Sequence, residues 1–421
     1  MLMPGAKAGR LSSRLLLTAA LATLVASTLV GSVATLPDIR ATDFPCFYAG
    51  GRILLSGQPT KLYDLPTQIS MLRSLGTPRG PYYAHPPFEA LAFALVSLLP
   101  LAWAYGLWMG VNFAALVLTA FAFRRAIPLA RQGYWSLLAL VFLPAIWSVS
   151  AGQDSPLLLL GLAFGYALMP ERPFLAGLVM SALAIKFQYI LILGPLLFLM
   201  RRFRSVAGLV AGCLSLAAVS LGVTGAQGLS SYYHFLRAFD TLPGLSDVLS
   251  VQHMINPRGF FHGLGISPRW ELPADLAICG LAAYCCWKAR KQPALAFAVA
   301  VTACIVGSHY SHLVDSTILV LPFLIALDYA NRVDWRRSWA LRLSCAAAFV
   351  VPVGLLLAGN ATWNHYMYWN FLPFFIFFLV LVYVSLYHGD ESVPRFLPTS
   401  NAREGSLAMQ VPQTDSSPQA R

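Results

Sequence analysis

An all-α polytopic membrane protein is the fold class that this sequence predicts, and three observations predict it. First, 57% of the 421 residues are hydrophobic and only 11% are charged, with a mean hydropathy of +0.65; soluble domains carry about 25% charged residues. Second, the apolar residues come in long runs suited to crossing about 30 Å of hydrocarbon as helices. Third, basic residues gather in short clusters between those runs: Arg124, Arg125 and Arg131; Arg201, Arg202 and Arg204; Lys288, Arg290 and Lys291; Arg332, Arg336 and Arg337. Such clusters mark cytoplasmic loops. They also account for the net charge of +12 without nucleic acid, because no basic face interleaved with aromatics is present.

The first run, 15–36, follows Lys7, Arg10 and Arg14 and is longer than a signal-peptide core, so it reads as an uncleaved helix. Further crossings are expected at 103–123, 134–149, 153–170, 174–199, 205–224, 273–288, 293–309, 313–329, 339–358 and 366–388. If every run crosses once, the basic clusters after 201 and after 288 cannot share a side with the N-terminus. A hairpin at 174–199 that rises to Lys186 and descends to Arg201 removes the conflict, giving about 11–12 helical segments with both ends inside. The alternative is one 26-residue helix with Lys186 near its middle. With the hairpin, the first outer loop is 37–102, the second large outer loop is 225–272, and shorter outward segments are Gly152 to Asp154, Gly307 to Leu313 and Asn360 to His365. The apolar stretch 88–102 reads as lying along the outer interface. One transmembrane domain therefore covers 1–390, and 391–421, rich in Ser, Gln and Pro, reads as a disordered cytoplasmic tail. Most of the seven cysteines fall in apolar runs, which argues against a disulfide framework.

The outward segments carry most of the unusual polar chemistry. Asp43, among Phe44, Phe47 and Tyr48, is open to two readings: a cap for the helix that follows, or a general base facing a substrate hydroxyl. Tyr82-Tyr83-Ala84-His85-Pro86-Pro87 reads as a structural turn, its double proline imposing an extended chain. In Gly152-Gln153-Asp154-Ser155, Asp154 or Ser155 caps the next helix, or Gln153 and Asp154 face a cavity. Lys186 is the sharpest signal, because ionisable groups inside apolar segments face protein or water and need an anionic partner, either a ligand or a residue such as Asp154. His309, His312 and Asp315 recur at helical spacing, which would put them on one face; without further ligands the trio reads as a phosphate or sugar site, Asp315 orienting His312, and no metal site is assigned. Arg258 offers a second cation for a phosphate, or an ordinary surface loop residue.

Taken in order, these segments resemble the integral-membrane glycosyltransferases of family 87, the polyprenyl-phosphate-mannose-dependent mannosyltransferase type with the GT-C fold. The resemblance rests on Asp43-Phe44 with Phe47-Tyr48-Ala49, on Leu55 and Gly57, on Leu62-Tyr63-Asp64, and on His85-Pro86-Pro87. It continues through Gly152-Gln153-Asp154 with Leu157 to Leu160, and Ala176-Gly177-Leu178 leading to Lys186. It spans roughly 40–205, with a looser echo at Ser308 to Asp315. Two departures stand out: Phe187 follows Lys186 where the family often has proline, and Asp154 replaces a common asparagine.

The resemblance implies an outward catalytic cavity, Asp43 as general base, and a polyprenyl-phosphate-linked hexose, mannose by the family pattern, as donor. The donor and acceptor sites would then draw on Lys186, His312, His309, Arg258, Gln153, Asp154 and Tyr48. The expected reaction is inverting displacement onto a lipid or glycan acceptor at the outer face of the cell membrane, a bacterial inner membrane by this reading. It calls for no cofactor and is compatible with a divalent cation without requiring one. The competing reading is a transporter or flippase of a lipid-linked saccharide; no internal repeat of the transporter kind is visible.

Overall fold

The computed structural model describes residues 38–77, 81–239, 251–358 and 366–387. The helix expected at 15–36, residues 240–250 of the second outer loop, the outward segment Asn360 to His365 and the tail 391–421 lie outside the described residues. The described chain is helical throughout, with no strand beyond a single bridge between Met254 and His312. Its helices are α1 (Phe44–Leu55), α2 (Leu65–Ser74), α3 (Pro87–Val96), α4 (Leu101–Ala126), α5 (Leu143–Ala151), α6 (Ser155–Leu168), α7 (Pro173–Met180), α8 (Phe187–Leu199) and α9 (Phe203–Ala238). They continue as α10 (Pro257–Gly263), α11 (Glu271–Lys288), α12 (Pro293–Val306), α13 (Val320–Ala330), α14 (Trp335–Ala358) and α15 (Phe371–Tyr387). The chain is thus an all-α polytopic membrane protein.

Six helical runs have the length and composition of a crossing: Leu101–Ala126, Pro173–Leu199, Phe203–Ala238, Leu313–Ala330, Ser338–Leu357 and Met367–Tyr387; a bent pair, Tyr134–Leu140 with Leu143–Ala151 at 44°, makes a seventh. α6 and α12 are apolar but have 14 residues each, about 21 Å of helix at 1.5 Å per residue, short of the hydrocarbon thickness. α12 compensates by position: every residue from Leu295 to Val306 is buried, and α8, α11, α13 and α15 surround it.

The run Pro173–Leu199 does not use its length to cross once. A Cβ on Gly177 would lie 2.7 Å from the Leu209 backbone nitrogen, and a Cβ on Gly194 would lie 3.7 Å from Leu209 Cδ2. Two residues 17 apart in a straight helix are separated by about 25 Å, so both cannot touch one leucine. The chain therefore folds back, and it does so at Lys186, whose backbone (φ −114°, ψ 77°) leaves the helical region between a tight turn of helix over Ser181–Lys186 and α8. This is the hairpin, of the two arrangements left open by the basic clusters, made without a proline at 187. Its two feet, Arg172 and Arg201, share an end with other basic turns: Arg125 pairs with Glu171 at 3.1 Å, and Arg202 and Arg332 both reach the Tyr166 phenol electrostatically. Lys186 stands at the opposite end.

The segment expected as the first outer loop is, over its described residues, a packed helical layer. α1 lies on α3, with Phe47 stacked on Phe93 at 4.9 Å and Phe93 against Trp108 at 4.5 Å. α3 buries Ala90 and Phe93 and leaves Leu91 and Leu95 open, as a helix lying along an interface does. Asp64 caps α2, accepting from Thr67 N at 3.0 Å and Thr67 Oγ1 at 2.6 Å, a purely structural role. The second outer loop begins later than its polarity suggests, because α9 continues past a kink at Gly225 to Ala238. Its last turns are held by packing, with Tyr232 and Phe235 lying 4.7 and 5.8 Å from the Tyr63 ring.

The α7–α9 contact is backbone on backbone, and a side chain at Gly208 would meet the Phe174 carbonyl. Gly208→Leu is expected to cost at least about 1–3 kcal/mol from overpacking, read as a lowered thermal unfolding midpoint in detergent. Gly222→Leu, which faces open space on the same helix, should leave the midpoint unchanged.

Candidate active site

Around the hairpin apex is a cavity of about 530 Å³, lined in part by Asp43, His85, Gln153, Lys186, Tyr310, His312 and Asp315. Asp43 stands at the N-terminus of α1, yet its carboxylate makes no capping bond to that helix. It accepts instead from Gln153 Nε2 at 2.6 Å, and its backbone N–H donates to the Ala151 carbonyl at 3.1 Å. The partner turn is pinned from below: Trp108 Nε1 donates to the Gly152 carbonyl at 2.9 Å, and the Tyr105 hydroxyl donates to that of Ser150. Gly152 has φ 72°, and a Cβ there would press on Phe44 Cβ at 2.7 Å, so only glycine serves this turn.

Gln153 links the carboxylate to the cation. Its Oε1 accepts from Lys186 Nζ at 3.4 Å. Lys186 also pairs with Asp154 Oδ1 at 3.1 Å and with Asp315 Oδ1, and all three groups are largely buried. Asp315 is held further by Ser155 Oγ at 3.0 Å and by the His312 backbone N–H at 2.9 Å. A buried ammonium without such partners would be expelled or neutralised. Asp154, the residue before α6, likewise makes no side-chain cap; its carboxylate answers Lys186.

The segment carrying His312 is strapped down from the second outer loop. Ile255 N donates to the Ser311 carbonyl at 2.9 Å, and Asn256 Nδ2 donates to the carbonyls of Ser308 and His309 at 2.8 and 2.9 Å. Residues 308–312 are consequently non-helical, and a tight helical turn begins only at Leu313. This corrects the expectation of a shared His309–His312–Asp315 face. His312 lines the cavity, whereas His309 turns away to Asp275, 3.2 Å from its Nδ1. The Asp315 carboxylate accepts from the His312 backbone N–H at 2.9 Å.

The sequence-derived residues therefore separate. Asp43, Gln153, Lys186 and His312 come together on the cavity, and Asp154 lies just behind it. Arg258 does not line the cavity; its guanidinium lies 4.9 Å over the Tyr310 ring and 3.8 Å from Glu271, so it braces a wall residue. Tyr48 is buried in the aromatic core, its hydroxyl donating to the Leu99 carbonyl at 2.9 Å, and it does not reach the cavity either.

His85 belongs to the site although its sequence context reads only as a turn. Its carbonyl accepts from the Tyr63 hydroxyl at 2.7 Å, its ring meets Phe47 edge-on at 5.0 Å, and its Nδ1 lies 2.8 Å from Glu89 Oε2. Burial pushes the Glu89 carboxyl above the usual carboxylate range. Burial also disfavours the His85 imidazolium, but the Glu89 carboxylate outweighs it and holds His85 above its ordinary value. The only advance sign of this pair is its i, i+4 spacing across Pro86-Pro87.

Lys186→Met leaves Asp154 and Asp315 buried without their cation. The expected loss is about 3–5 kcal/mol, measured as a drop in thermal unfolding midpoint in detergent. Adding Asp154→Asn and Asp315→Asn should recover most of it, and no recovery would mean that charge pairing is not the cause.

The family model of glycosyltransferase family 87 matches residues 82–309, more than half of the chain. No curated protein and no solved structure matches. The matched span contains His85, Gln153, Asp154 and Lys186; Asp43 precedes it and His312 follows it.

Proposed function

The chain belongs to glycosyltransferase family 87, and from that premise we propose that it transfers a hexose, mannose by the family pattern, from a polyprenyl-phosphate donor to a lipid or glycan acceptor. The observation that carries the reading is the Asp43–Gln153–Lys186 chain on one cavity wall. It sets a carboxylate and a cation one amide apart, as a displacement with a base on one side and an anionic leaving group on the other demands.

In this reading the acceptor hydroxyl attacks the anomeric carbon, the bond from that carbon to the donor phosphate oxygen breaks, and the hydroxyl proton passes to Asp43. The polyprenyl phosphate departs with the electron pair of that bond. Lys186 and His312 offset the charge that develops on it. Of the Lys186 bonds, the one to Gln153 is the longest at 3.4 Å, and a phosphate oxygen can replace it while Asp154 and Asp315 keep the ammonium in place. A single displacement inverts the anomeric configuration. Phosphate is already a good leaving group, so the step as written needs no cofactor. The cavity volume of about 530 Å³ lies within the range of small-molecule sites, and its aromatic lining suits sugar faces while excluding bulk water. Family membership disfavours the flippase alternative.

The site opens, in this proposal, on the extracytoplasmic face of a cell membrane, opposite the basic turns. A thiol introduced by Ser267→Cys is expected to react with a membrane-impermeant reagent in intact cells, and one introduced by Arg201→Cys only after permeabilisation. The reverse pattern would overturn the orientation.

Purified protein given polyprenyl-phosphate mannose and candidate acceptors is expected to form glycoside. Asp43→Asn should lower turnover by about 10²–10⁴-fold, the range lost with a general base, while donor affinity changes little. Full activity in Asp43→Asn would remove Asp43 from the mechanism, and donor movement across vesicles without transfer would favour the flippase.

A further inference from the structure

We propose that His85, Glu89 and Asp154 form a divalent-cation site in the wall of the cavity, for a first-row ion of the Mn²⁺ to Zn²⁺ class. One ligand atom from each lies within 4.8 Å of the others. The closest separations are 2.8 Å from His85 Nδ1 to Glu89 Oε2 and 3.5 Å from His85 Nδ1 to Asp154 Oδ2. Ligands at about 2.0–2.2 Å from one ion stand about this far apart.

Three features indicate a built site rather than a chance gathering. Each ligand is held from outside the cluster: the Tyr83 hydroxyl reaches Glu89 Oε2 at 3.3 Å, the Tyr63 hydroxyl fixes the His85 backbone, and Lys186 holds the other oxygen of Asp154 at 3.1 Å. Such outer partners orient metal ligands. Glu89 and Asp154 are 5% and 0% exposed, yet among the described residues neither Glu89 Oε1 nor Asp154 Oδ2 receives a hydrogen bond. Buried carboxylate oxygens left so are costly.

The carboxyl groups also crowd together: those of Glu89, Asp154 and Asp315 gather around the ammonium of Lys186 and the ring of His85, and a cation between His85, Glu89 and Asp154 draws on two of them at once. One nitrogen and two carboxylates favour a transition ion over Ca²⁺, which takes six to eight oxygens. His85 alone of the three lines the cavity, and its Nδ1 is buried, so the ion sits one imidazole behind the cavity wall. That a donor phosphate comes near it rests on the transfer reading; the ion site itself does not.

The test uses full-length protein in detergent, stripped with EDTA and titrated with Mn²⁺ without any donor. One saturable ion per chain is expected, with hyperfine coupling to one imidazole nitrogen in pulsed electron paramagnetic resonance. Glu89→Gln and His85→Ala should each weaken binding at least tenfold, and His85→Ala should remove the nitrogen coupling. His309→Ala, which disrupts a separate histidine–carboxylate pair with Asp275, should change neither. No saturable binding by the unaltered protein, no nitrogen coupling, or undiminished binding in Glu89→Gln would each overturn the site. Because no sugar donor is present, the result is independent of transfer: Mn²⁺ bound as described by a protein that transfers no sugar would sink the transferase reading and leave the ion site standing.

Discussion

The ammonium of Lys186, buried between Asp154 and Asp315, is the interaction on which the rest of the site depends. An isolated charge at that depth would cost several kcal/mol, so three segments far apart in the chain must meet: the turn before α6, the hairpin apex and the start of the turn leading to α13. Their meeting sets everything above it. Asp315 holds Ser155 on one side and the His312 backbone on the other. Gln153, one residue from Asp154, is thereby presented to both Lys186 and Asp43. Asp43 thus keeps its position through an amide whose far end is anchored to the buried pair.

Glycine packing makes that depth reachable. A lysine placed midway along a straight crossing helix would face lipid or another helix. Here the chain enters as α7, turns at Lys186 and leaves as α8, and the turn is stabilised because α9 packs backbone-close through Gly177 and Gly208. Small residues serve apolar helix contacts in this way, since lipid supplies no hydrophobic drive to bring helices together. The non-helical backbone at Lys186 is tolerated because it lines a polar cavity rather than lipid.

The aromatic layer of the first outer loop does a second job. Phe47, Phe93, Tyr63 and Tyr83 form one packed body that carries Asp43 on one helix and His85 with Glu89 beside another. Two polar elements of the cavity are therefore held by this layer, while Gln153, Lys186 and His312 are held by the helices beyond it, and the cavity lies between the two sets.

Composition, the length of the apolar runs and the placement of Arg and Lys determined by themselves that this chain is a polytopic helical membrane protein, since the bilayer constrains these features residue by residue. Charge parity also pointed to a hairpin at Lys186, with a single long helix as the alternative, and an ionisable residue in an apolar run marked itself as a candidate site residue. Tertiary structure alone decided the rest. Tyr48, Arg258 and His309 carry the right chemistry at plausible positions, yet packing turns Tyr48 into the core, Arg258 onto Tyr310 and Glu271, and His309 onto Asp275. His85 lies in a proline-bound stretch that looks structural, and it reaches the cavity because Tyr63 and Glu89 hold it there. The physical reason is common to all four. Periodicity records which residues leave water, but a side chain's partner is set by contacts between segments tens or hundreds of residues apart, and no local pattern encodes those.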